Sequence, residues 1–117
     1  MSDLGNAILA IDDKTKKKVS VKEWNADVFI RVLSAAERDE WEAENAQPGP
    51  YGGRNLVNVR ARFLVRALVD ADGKRLFDDN QAAALGSKSS SVIERLWLVA
   101  SKVNGVTDAE LEEILQN

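Results

Sequence analysis

The chain has 117 residues, 44% apolar and 30% charged, which is the size and balance of one globular domain spanning residues 1–117. Its 16 basic and 19 acidic side chains sum to a net charge of −3, too balanced for a polycation built to bind nucleic acid, and no apolar run approaches the ~20 residues of a membrane span. It contains neither Cys nor His, which excludes disulfides, thiolate zinc sites, iron–sulfur clusters, imidazole ligands and a Ser–His–Asp triad. No catalytic residue, cofactor or metal site is therefore expected.

The first residues lack a basic region, and Ala7–Ile11 is too short for the apolar core of a signal peptide. An unexported, cytoplasmic protein is expected. The first periodic element is Lys17–Lys22, which alternates polar and apolar. Val28–Leu33 follows, β-branched and aromatic, with Val28, Ile30 and Val32 on one face. Joined by Glu23–Asp27, the two segments predict a β-hairpin onto which Trp24 folds. A lone hairpin is marginal in water, so it must pack on the rest of the chain.

Ser34 and Glu37 have the spacing of a capping box, which starts a helix running to about Asn45. Leu33 and Ala36 are expected inward, Trp41 is either folded under the hairpin or a contact residue, and Glu37, Asp39, Glu40, Glu42 and Glu44 form an acidic outer face. Residues 46–55 hold both prolines and three of the glycines, and are expected as a flexible loop or hinge. A broad apolar stripe from Leu56 to Val69, capped by Asn55, predicts the most buried helix, with Arg60, Arg62 and Arg66 exposed. Asp70–Phe77 is a turn into a short extended piece. A short helix follows from Asp78 or Asp79, ended by Gly86 as a C′ residue. The Ser89–Ser91 cluster starts a longer helix to Asn104, with Ile93, Leu96, Trp97, Ala100 and Val103 inward. Thr107 and Glu110 open a final acidic helix within residues 106–117, which either docks or frays. The expected fold is α+β, mostly α: an N-terminal β-hairpin packed on a bundle of four to five short helices.

Charge alternates along the chain. Residues 34–55 carry five acidic and two basic side chains, and residues 56–77 carry two acidic and five basic. That pattern favours elements packed side by side over one polarised face.

Motifs that suggest chemistry have plainer explanations. Asp70-Ala71-Asp72-Gly73 looks like part of a calcium loop, but Leu68 and Asp79 stand where a first carboxylate and a bidentate Glu are required. It reads as a tight turn. Residues 50–55 lack the Gly-Lys-Ser/Thr of a phosphate loop, and no strand leads into them. Lys14, Lys16, Lys17, Lys18 and Lys22 resemble a phosphate-contacting run, yet lysines on an exposed strand edge also prevent edge-to-edge aggregation. Nucleic acid is not the expected partner. The adjacent carboxylate pairs do not share a helix face.

The ordered set of segments resembles the tail assembly chaperone family of long-tailed, siphovirus-type bacteriophages. The matching pieces are Ala7–Ala10, Glu23-Trp24, Val28–Asp39, Arg60–Leu64, Val69–Phe77, Ala84–Ser89, Ile93–Leu96 and Asn104-Gly105, covering about residues 7–105. The resemblance implies a non-enzymatic protein that binds the tape measure protein in the host cytoplasm before the tail tube polymerises around it. It implies help in recruiting tail tube protein, absence from the mature virion, and in many members a longer frameshifted product. Self-association remains open.

The family supplies no motif-level binding residues. Exposure and chemistry nominate Trp41, Tyr51, Arg54, Leu111, Ile114 and Leu115 as the partner-binding set. A small nucleic-acid-binding regulatory protein and a structural tail or head-completion protein retained in the virion are the alternatives. A carboxylate hydrolase ranks last.

Overall fold

A computed structural model describes residues 2–107 together with Ala109 and Glu112. In chain order the elements are α1 (Asp3–Ala10), β1 (Lys16–Val21), β2 (Ala26–Arg31), α2 (Ala35–Ala46), α3 (Val59–Ala67), β3 (Leu68–Val69), α4 (Ala82–Gly86) and α5 (Ser90–Val103). Short 3-10 turns cover Lys22–Trp24 and Asp79–Gln81. The fold is α+β and mostly helical, as the periodicity predicts.

The hairpin is present, its first strand one residue and its second strand two residues earlier than expected. Its register pairs Lys16 with Arg31 and Val21 with Ala26. The connection is tight because Asn25 adopts a left-handed conformation, φ 49°, and its amide donates to the Lys22 carbonyl. Asn tolerates that region better than most residues. The hairpin does not stand alone. β3 pairs antiparallel with β2 through Phe29–Val69 and Ile30–Leu68, giving a three-stranded sheet in the order β1-β2-β3.

The helix expected over Leu56–Val69 is shorter at both ends. Asn55 does not cap it: its Oδ1 accepts from the Val57 amide, which holds a turn, and Asn58 enters α3 with φ 53°. At the other end Leu68 and Val69 leave the helix to pair with β2. Leu76 then bonds back to Leu68 across the Asp70–Gly73 turn. The Asp70 Oδ1 accepts from the Asp72 and Lys74 amides, which holds the expected tight turn.

The core lies between one face of the sheet and α2, α3 and α5. Val21, Val28 and Ile30 meet Phe63, Leu64, Leu68, Val92, Leu96 and Ala100, all buried. Every residue from Val59 to Val69 except Arg60 is buried, which confirms α3 as the central helix. At the end of α5, Gly105 has φ 65°, its amide bonds Lys102, and the Val106 amide bonds Ser101. That is a Schellman stop, and it turns Val106 inward. Asn104 ties this end to the sheet: it accepts from the Leu33 amide and donates to the Arg31 carbonyl.

Gly86 does not act as a left-handed cap. It is the last residue of α4, and a Cβ there would collide with the Asn58 side chain. Close packing of α4 on the start of α3 is the reason for glycine at that position.

Candidate functional site

The expected acidic outer face of α2 is largely turned toward basic groups. Ser34 and Glu37 form the capping box, the Ser34 hydroxyl accepting from the Glu37 amide at 3.2 Å and Glu37 accepting from the Ser34 amide at 2.9 Å. Glu37 also takes two bonds from the Arg31 guanidinium, at 2.9 and 2.6 Å. Burial pushes its pKa up, but the bonds from Arg31 and the Ser34 backbone, with the Arg31 charge, outweigh that and hold it at about 2.

Arg62 and Arg66, expected in solvent, are instead buried, 9% and 4% exposed. Arg62 donates to the Asn45 side chain (2.7 Å), the Asn55 carbonyl (2.9 Å) and the Val57 carbonyl (3.0 Å). Arg66 donates to the Arg62 carbonyl and pairs with Glu44 at 3.0 Å and Glu40 at 3.7 Å. Burial lowers the Arg62 pKa, and the Glu44 carboxylate opposes that shift. The acidic and basic blocks of the sequence thus meet in space across α2 and α3.

Arg62 also closes the Pro/Gly segment at its base. The Asn55 amide bonds the Asn45 carbonyl, and Arg62 grips a group at each end. Within the loop, the Gly49 amide bonds the Gly53 carbonyl, and Pro48 bridges Arg54. The loop expected to hold no strand pairing therefore carries a small bridged turn. It presents Tyr51 at 99% exposure, with Arg54 also on the surface.

Trp41 leaves the partner-binding set. It is 1% exposed, packed edge-on against Phe63 at 5.0 Å and tilted against Trp97 at 5.9 Å, and its indole N–H donates to the Val59 carbonyl at 2.9 Å. A side chain so enclosed serves the core, not a partner. Ala36, expected inward, is exposed instead. Tyr51 and Arg54 share one loop. Leu111, Ile114 and Leu115 lie outside the described residues.

The surface feature that the sequence reading passed over is α1. None of its residues is buried, while Leu4 is 70% exposed, Ile8 56%, and Ile11, just beyond it, 63%. Leu4, Ile8 and Ile11 follow i, i+4, i+7 spacing and form one apolar stripe. Ser2 caps the helix by accepting from the Gly5 amide at 3.0 Å. The signal was present in the sequence: Ser2 as a cap before an apolar period of about four residues.

Of the basic run, Lys14 pairs with Asp12 and Lys18 with Asp27. The lysines sit along the open edge of β1, where charge deters strand addition. Among the described residues, no group of three or more carboxylates is placed to hold a metal ion, and no helix is long and apolar enough to cross a membrane.

Fold and surface together define a small α+β domain that carries an uncovered apolar helix beside a densely paired polar interior. Residues 4–113 match the model of the phage tail assembly chaperone family, and the chain belongs to that family. Among solved structures, the tail assembly chaperone of bacteriophage HK97 superposes with a TM-score of 0.65 at 20% identity, over 92% of this chain and 100% of that one. At that identity the likeness is one of fold. No match was found among curated proteins.

Proposed function

We propose that this chain binds the tape measure protein in the host cytoplasm during tail assembly, and that α1 is its principal contact. The observation that carries the reading is the apolar stripe Leu4, Ile8 and Ile11, left in solvent: with Leu9 these are four of the eight exposed large apolar side chains among the described residues, all within one short segment. An isolated helix of eight residues, below the ~12–15 that hold in water, gains stability when an apolar partner covers it. Covering the stripe removes apolar area from water, which favours association by roughly 25 cal/mol per Å2 before the cost of immobilising the partner is met. A long helical partner with exposed apolar faces is the complementary surface. Tyr51 and Arg54 on the bridged loop are a second contact.

The work is binding, with no chemical step, and membership of the chaperone family supports it. Recruitment of tail tube protein and absence from the mature virion complete the reading. The test is co-expression with the tape measure protein of the same genome and purification through a tag on this chain. Tape measure protein that is soluble only when this chain is present, and that co-purifies with it, is the expected result. Insoluble tape measure protein with nothing co-purified would sink the proposal. Abundant recovery of this chain from purified particles would favour a virion component instead.

A further inference from the structure

A second surface is separate in residues from α1 and from the 47–54 loop. Lys17 pairs across the hairpin with Ile30, which is fully buried. Opposed residues share a face, so the Lys17 side chain leaves on the core side of the sheet. It emerges beyond the part of that face that α5 covers. There a cleft of about 320 Å3 is lined by Lys17, Leu98, Val99, Lys102 and Val103. Leu98 is 55% exposed, and Val99 and Val103 are half-buried in its floor.

The lining of this cleft holds two lysines and no carboxylate. Arg31, Arg60, Arg62, Arg66, Arg75, Arg95, Lys14 and Lys18 each have a carboxylate within 4 Å. Among the described residues, Lys17 and Lys102 have none, as is also true of Lys16, Lys22, Lys74 and Lys88; Lys17 and Lys102 are the two of these six that line this cleft. Two uncompensated ammonium groups thus flank an apolar floor. The floor is on the side-chain face, not along the backbone edge of β1, so its occupant is read by side chains and not by strand addition.

We propose that the cleft between β1 and the C-terminal half of α5 docks an acidic amphipathic helix of a partner protein. Apolar side chains of that helix enter over Leu98, Val99 and Val103, and carboxylates one turn apart meet Lys17 and Lys102. Opposite charge on the rim sets which partner is accepted more than how tightly it is held.

The probe is a stapled, fluorescein-labelled helical peptide with leucines on one face flanked by glutamates, measured by anisotropy against the full chain. Its control replaces each glutamate with lysine. The acidic peptide should bind wild type and bind Lys17→Glu/Lys102→Glu about tenfold or more weakly, with the lysine peptide showing the reverse order. Leu98→Ser should weaken the acidic peptide. All three positions are exposed, and circular dichroism verifies that the variants fold; Lys17→Ala/Lys102→Ala provides a milder change with the same direction. No binding, equal binding of both peptides, or binding untouched by charge reversal overturns the proposal. So does self-association in the ultracentrifuge that the charge reversal abolishes, because the occupant is then a second copy. Loss of tape measure binding by α1 variants leaves this outcome unaffected, so the two readings fail separately.

Discussion

The aromatic centre and α1 are built from the same kinds of side chain and meet opposite fates. Trp41, Phe63 and Trp97 are each 3% exposed or less and pack within 6 Å of one another. Leu4, Ile8 and Ile11 are all more than half exposed. Both sets are apolar and carried on helices or their caps. What separates them is whether another element of the chain lies opposite. Trp41 has α3 and α5 across from it, whereas α1 has no buried residue. Residues in the first group hold the fold, and residues in the second stay in solvent, which is the basis for proposing them as a contact.

Four substitutions sharpen that division, taken from the largest expected loss of stability to the smallest. Trp41→Ala removes a filled volume and the indole bond to Val59, and should cost about 3–5 kcal/mol in urea unfolding. A cost below about 1 kcal/mol would mean that the aromatic cluster is not the centre of the core. Arg62→Ala strands the Asn45 side chain and two loop carbonyls together. It should cost about 3 kcal/mol and expose residues 47–54 to limited proteolysis. Unchanged cleavage of that loop would show that its bridged turn holds without the clamp.

Glu37→Gln keeps the capping-box acceptor but removes the carboxylate charge and the acceptor that meets Arg31 Nη2, because an amide NH2 stands there in place of Oε2. The Glu37 pKa is depressed when folded, from an ordinary 4.5 to about 2. Its contribution is therefore complete above pH 4.5 and is lost as pH falls toward 2. The variant should lower stability at neutral pH by about 1 kcal/mol, discounted for partial exposure, and flatten the acid limb of the stability curve. An unaltered acid limb would place the pH dependence on other carboxylates.

Leu4→Ser/Ile8→Ser lies at the far end. It should shift unfolding by about 0.5 kcal/mol or less and yet abolish solubilisation of the tape measure protein on co-expression. A large loss of stability would mean that α1 belongs to the fold; full retention of solubilisation would move the contact elsewhere, with Tyr51 the next position to change.

Much of the architecture was legible from near-neighbour pattern. The capping box at Ser34 and Glu37, the alternation of the hairpin, the apolar period of α5 and the Asn104-Gly105 stop all depend on residues within about one turn of each other. The absence of Cys and His bounded the chemistry before any fold was known, and the ordered segments pointed to the chaperone family. The binding surface was less legible. Trp41 was nominated because its helix carries so many carboxylates, and Arg62 and Arg66 were placed in solvent because arginine usually is.

Those assignments depended on what lies opposite each side chain, and only the tertiary structure decides that. The carboxylates of α2 face the arginines of α3, so the buried Arg66 has Glu40 and Glu44 as ion-pair partners and the buried Arg62 donates to Asn45, while Trp41 lies in the core below. Leu68 and Val69 continue an apolar helical period, yet β2 offers a free edge, and strand pairing there wins over another helical turn. The exposure of α1 has the same cause in reverse: its sequence specifies a capped amphipathic helix, and among the described residues nothing buries its stripe. Local pattern sets which elements form, because their hydrogen bonds close within a few residues. Which faces are buried is set by long-range packing, which no short window of sequence contains.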